Sequence, residues 1–107
     1  VIEAAQGAAE GLIFQSTAVS DEFKQQYQEA YGDVPDVIAA NAYDAVKLQA
    51  LAFDECGNDT RCMAEFLRNV RDYEGVSGNL TINEDGSTSK TRIYKQIQNG
   101  EFVTLSE

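Results

Sequence analysis

The 107-residue sequence has no histidine, a single proline, and only 8 lysines and arginines against 18 aspartates and glutamates. Each shortage removes a class of function. Without histidine the commonest zinc ligand and the commonest general base are missing, and a Ser-His-Asp triad is ruled out. A Ser-Lys pair has no supporting motif. The net charge of −10 repels phosphate backbones and anionic membrane surfaces, so nucleic acid is not an expected partner. No run approaches the roughly 20 apolar residues that a membrane span requires. The chain starts at Val1, without an initiator Met or the basic and apolar regions of a signal peptide, which gives the expectation of a piece of a longer product. Catalysis is not expected, and neither is a cofactor or a metal.

What is present is organised around residues 36–55, DVIAANAYDAVKLQALAFDE. Ile38, Ala42, Ala45, Val46 and Phe53 fall on helical spacings, but the apolar surface spreads well beyond one stripe. A helix apolar over most of its circumference belongs inside something large. At about 1.5 Å per residue it would be roughly 30 Å long, the diameter of a small domain.

Two cysteines, Cys56 and Cys62, stand in DECGNDTRCM. With no His to complete a zinc site, a disulfide closing the short loop between two helices is the expected state. The alternative is a pair of reduced, buried thiols. An oxidised pair implies an extracytoplasmic protein.

In chain order, residues 11–16 (GLIFQS) read as a short buried strand after a small-residue-rich opening. A first helix is expected between Ser20 as N-cap and Gly32 as C-cap, with Phe23, Tyr27, Ala30 and Tyr31 on its apolar face. The long helix follows Pro35 and stops at Gly57 and Asn58. A third helix, capped by Asp59 or Thr60, is expected to run to about Arg71 with Cys62, Met63, Phe66, Leu67 and Val70 on its buried face. Strands are expected at NLTI and TRIYKQIQ on either side of NEDGSTS. Asn99-Gly100 is a strong two-residue hairpin turn into EFVTL. The reading is α/β, with three helices and about four short strands.

The succession AAEGLIF, FKQQYQEAYGDVPDVIAANAYDAVKL, CGNDTRCMAEFLRNVRDYEGVSGNLTINEDGS and IYKQIQNGEFV resembles the C-terminal portion of type I periplasmic substrate-binding proteins of ABC transporters. The branched-chain amino acid (Leu/Ile/Val-binding) class is the nearest in type. AANAYDAVKL and YEGVSGNLTINEDG carry the most specific likeness.

The resemblance implies a fragment of a two-lobed α/β fold. Residues 1–17 and 90–107 would be second-lobe pieces, 18–89 a first-lobe piece, and residues 16–20 would hold a crossover between lobes. It implies reversible capture of a small polar ligand and delivery to an ABC permease, in the periplasm or outside the cell. A lipid anchor on a preceding segment would fit that role. The alternatives are a ligand-sensing module of the same fold in a receptor, and a stand-alone secreted α/β interaction domain.

In amino-acid binders of this family a carboxylate before the AEG strand holds the ligand's ammonium. Here Gly7 takes that place, with Gln6 beside it. A neutral Gln6-Gly7-Ala8 loop suits an amide, a carboxylate or an aromatic acid as well as a branched-chain amino acid. Val37 and Ile38 match an apolar pocket wall, and Asn41 is the next polar group along. The implied ligand-binding residues are therefore Gln6, Gly7, Ala8, Ile38 and Asn41.

The remaining features have plainer readings. Residues 83–86 (NEDG) hint at a calcium loop but lack the acids at positions 81 and 92, so a β-turn is expected. The sequons at Asn58 and Asn79 matter only in a eukaryotic secretory pathway. Tyr27, Tyr31 and Tyr43 are read as core or packing residues, and Asp44 with Lys47 as a surface pair. If the central strands of both sheets are missing, the strand edges at 11–16 and 92–98 lack partners and the isolated chain should self-associate.

Overall fold

A computed structural model describes residues 4–105. Among them are three helices and six strands, an α/β fold: β1 (Ile13–Thr17), α1 (Asp21–Tyr31), α2 (Val37–Cys56), α3 (Thr60–Arg68), β2 (Tyr73–Gly75), β3 (Gly78–Ile82), β4 (Thr88–Lys90), β5 (Arg92–Gln98) and β6 (Glu101–Thr104). The chain divides into two units, the first built from Val1–Thr17 with Arg92–Glu107 and the second from Ala18–Thr91.

The first unit is an antiparallel sheet in the order β1-β5-β6. Ile13 pairs with Gln96 and Thr17 with Arg92, so β1 and β5 are each other's partners. This corrects the expectation of two bare strand edges: the two strands lie far apart in sequence but pair directly, with β5 central. Ile93 and Ile97 are buried on one face of β5, and Phe14 meets Phe102 edge-on at 5.4 Å beside them. Asn99 and Gly100 both have positive φ, 53° and 76°, as a type I′ turn between β5 and β6 demands.

The second unit holds the helices and a sheet ordered β2-β3-β4. Ser20 caps α1 by accepting from the Phe23 N–H, Asp36 caps α2 through Ala39, and Asp59 caps α3 through Cys62. Gly32 ends α1 in the left-handed region at φ 71°. Cys56 and Cys62 are disulfide bonded, which ties the end of α2 to the first turn of α3.

One stripe of α2, Ala40, Asp44, Leu48 and Ala52, is buried. The other side stays open: Ile38 is 72% exposed, Val46 67% and Phe53 51%. Leu80 and Phe23 complete the buried apolar set of this unit.

Four further expectations change. β2 and β4 are strands beyond the four expected, recruited when β3 pairs on both its edges. The third helix ends at Arg68, because the Val70 carbonyl accepts from the Ile82 N–H and the Arg71 guanidinium binds the carbonyls of Arg68, Val70 and Ile82. Its apolar face is only half-buried. Tyr31 is 73% exposed and Tyr43 39%, so of the core-or-packing expectation only packing holds for these two: Tyr31 packs on Tyr27, and Tyr27 and Tyr43 both pack on the buried Phe23.

Candidate ligand-binding site

Gln6, Gly7 and Ala8 occupy a tight turn in the first unit. The Ala8 N–H donates to the Ala5 carbonyl at 2.9 Å, and Gln6 and Gly7 have φ of 49° and 87°. Two successive left-handed residues make the turn narrow, and the glycine removes the steric penalty at one of them. The turn is exposed and holds no charged side chain. It is fastened from below. Glu10 accepts the backbone N–H of Asn99 at 2.6 Å, and the Gly11 N–H donates to the Ile97 carbonyl at 2.8 Å.

In the second unit Ile38 lies in the first turn of α2 with its side chain open to solvent. Asn41 does not share that environment. Its Oδ1 accepts from Lys90 Nζ, and both residues line a cleft of about 260 Å³. The apolar walls are Ala45, Leu48, Leu67, Leu80 and Ile82, and the polar groups are Asn41, Asp44, Gln49, Thr88 and Lys90. Burial pulls the Lys90 ammonium below the usual lysine range, and the nearby Asp44 charge offsets part of that effect. Lys90 carried no signal in the sequence reading, since a lysine ending a short strand resembles any surface lysine.

Asp44 overturns its expectation outright. It is 2% exposed, and its carboxylate accepts the N–H groups of Val76 and Ser77, each at 2.9 Å, together with the Ser77 hydroxyl. Three donors satisfy a charge that burial would otherwise penalise. Lys47, its expected partner, lies over the Tyr43 ring instead. Burial raises the Tyr73 hydroxyl above its usual value, with the charges of Asp44 and Tyr43 adding to the effect. A signal existed in the sequence: residues 75–78, GVSG, form a Gly-flanked loop whose N–H groups need an acceptor.

Residues 83–86 form the turn between β3 and β4, closed by the Gly86 N–H on the Asn83 carbonyl at 2.9 Å. Asp85 in that turn accepts from both the N–H and the hydroxyl of Ser87, which holds its carboxyl below the usual aspartate range. No helix among the described residues is long and apolar enough to cross a membrane.

A concave cleft with a few polar groups on apolar walls is the usual form of a small-molecule site. The comparisons make the class specific. A family model described as receptor family ligand binding region matches residues 8–96, and the chain belongs to that family.

Among solved structures it is similar to a leucine-binding protein, LivK, from Thermotoga maritima, with 30% identity and a TM-score of 0.85 over 98% of this chain and 33% of that one. An ABC transporter substrate-binding protein from Desulfitobacterium hafniense, solved in complex with Leu, matches at 28% identity and a TM-score of 0.82, covering 91% and 32%. LivJ from Streptococcus pneumoniae, a branched-chain amino acid transporter substrate-binding protein in complex with isoleucine, matches at 28% identity and 0.75, covering 98% and 35%. The chain thus spans about a third of the length of these structures. No curated protein matches it. The family and these neighbours are binding proteins.

Proposed function

We propose that this chain is part of the extracytoplasmic solute-binding component of an ABC importer, which captures a small polar ligand reversibly and delivers it to a membrane permease. The observation that carries the reading is the likeness, in sequence and fold together, to leucine- and isoleucine-binding proteins along nearly the whole chain. In this reading the first unit belongs to the second lobe of the parent protein and the second unit to the first lobe.

The ligand contacts are assigned to Gln6, Gly7 and Ala8 in the one unit and to Ile38 and Asn41 in the other. The turn offers the Gln6 amide and backbone carbonyls but no carboxylate. It therefore supplies dipoles to a ligand and leaves an ammonium without a charged partner there. Asn41 contributes its amide Nδ2, since Lys90 holds its Oδ1. Ile38 supplies apolar contact.

The test is calorimetry on the full-length parent with leucine, isoleucine, their amides and benzoate, beside native mass spectrometry for a co-purified small molecule. Saturable binding of one of these compounds is expected. No binding, and no co-purified molecule, would overturn the reading. A ligand-sensing module in a receptor is the second reading, favoured by the family's description as a receptor ligand-binding region. A transmembrane and signalling segment in the parent gene would select it.

A further inference from the structure

We propose that the cleft of the second unit binds a small organic monocarboxylate, with the carboxylate on Lys90 and Thr88 and the hydrocarbon tail against Leu48, Leu67, Leu80 and Ile82. The site lies wholly within residues of one unit and shares one residue, Asn41, with the ligand contacts assigned above; Asn41 here orients the lysine and lines the cleft.

The Lys90 ammonium has three N–H donors, and one is directed at the neutral amide oxygen of Asn41. Among the described residues the only ion pair is Lys24 with Asp21, so no carboxylate lies within pairing distance of Lys90. Asp44 lines the same cleft, yet both its oxygens are turned to Val76 and Ser77. The Asp44 charge offsets only part of the burial cost of Lys90 and does not pair with it, so a bound anion in direct contact would relieve the remainder.

The shape selects among anions. A cleft of about 260 Å³ has room for about eight or nine groups of water size at ~30 Å³ each. The polar groups that can donate are Lys90, Thr88 and the amides of Asn41 and Gln49; Asp44 lines the cleft with its oxygens already accepting from Val76 and Ser77, and the rest of the lining is aliphatic. One carboxylate is matched. A second would be pressed against leucine side chains, and an amine would meet Lys90. The net charge of −10 does not exclude an anion, because distant surface charges are screened beyond about 8 Å at physiological salt, and the negative charge of Asp44 in the lining is spread over the three donors of Val76 and Ser77.

The test uses the 107-residue chain with labelled Leu and Ile methyl groups, observed by NMR during titration with 4-methylpentanoate and, in parallel, the uncharged 4-methylpentan-1-ol. Saturable shifts confined to Leu48, Leu67, Leu80 and Ile82 are expected with the acid and not the alcohol. Lys90→Met should weaken binding about tenfold, the scale of one lost charge-assisted hydrogen bond, and Lys90→Arg by a few-fold at most. Both variants keep the aliphatic stem, and the methyl spectrum itself reports the fold. Equal shifts with acid and alcohol, undiminished binding to Lys90→Met, or no saturation at millimolar acid would each overturn the proposal. None of these outcomes depends on whether the full-length parent binds leucine.

Discussion

Ser77 donates its backbone N–H, at 2.9 Å, and its hydroxyl to the same Asp44 oxygen, joining two buried residues across 33 positions of sequence. The Val76 N–H binds the other oxygen, so the middle of α2 holds the loop between β2 and β3 by a single side chain. Gly75 completes the arrangement: a Cβ at that position would stand 2.6 Å from Asp44 Cγ.

These contacts predict a coupled pair. Asp44→Ala leaves three donors without an acceptor and should cost about 3 kcal/mol, read from the urea midpoint. Gly75→Ala should also be damaging, at about 2 kcal/mol, through overlap with the carboxylate. In the Asp44→Ala background the overlap is gone, and Gly75→Ala should then cost less than about 0.5 kcal/mol. Additive costs in the double variant would show that Asp44 is not what excludes a side chain at position 75.

The Cys56–Cys62 bond closes a short loop, and its removal in a Cys56→Ser, Cys62→Ser double variant should cost about 2.4 kcal/mol on the loop-entropy model. Reductant should shift the wild-type urea midpoint to match the double variant. A wild-type midpoint that does not respond to reductant would mean that the bond contributes nothing to stability.

The features legible in the sequence are those set by local chemistry. Ser20, Asp59 and Gly32 announce helix ends because a cap is made by neighbours three or four residues away, and Asp36, the cap of α2, is of the same residue type but is overshadowed by Pro35 before it. Asn99-Gly100 announces its hairpin because few residue pairs tolerate two positive φ values. The disulfide follows from spacing.

What the sequence hid is non-local. Nothing within four residues of Asp44 reveals donors at 76 and 77, and Lys47 at i+3 offered a plausible but wrong partner. The pairing of β1 with β5 and the early end of α3 at Arg68, where Ile82 binds the Val70 carbonyl, are likewise decided by segments distant in sequence. At the candidate site the Gln6-Gly7 turn could be read from its glycine. The cleft around Lys90 could not, because its walls come from α2, α3, β3 and β4 together.

The ligand contacts assigned to the exposed turn and to the start of α2 make a prediction in the full-length parent. Replacing Ala8 with Trp should weaken ligand binding by steric obstruction, and Ile38→Asp should do so by placing a charge on an apolar wall. Each effect should be about tenfold or more in Kd. Calorimetry in which both variants bind as wild type would remove residues 6–8 and Ile38 from the site, leaving family membership untouched.

The open face of α2 sets the behaviour of the isolated chain. Ile38, Ala42, Val46 and Phe53 recur at spacings of four, four and seven, opposite the buried stripe through Ala40, Asp44, Leu48 and Ala52, so this helix has two apolar faces and the second unit covers one. In the first unit, among the described residues, β1 and β6 each keep one free edge, although β1 and β5 are paired. An uncovered apolar stripe and free strand edges both favour association. Covering about 400 Å² per chain at about 25 cal/mol per Å² gives on the order of 10 kcal/mol per chain, comparable with the cost of bringing two molecules together. Sedimentation of the 107-residue chain should therefore show a concentration-dependent dimer. Val46→Lys with Phe53→Lys should return it to monomer, since two lysines on the stripe would have to lose their hydration in the contact. A monomer at high micromolar concentration, or a dimer indifferent to both substitutions, would show that the α2 face does not drive association.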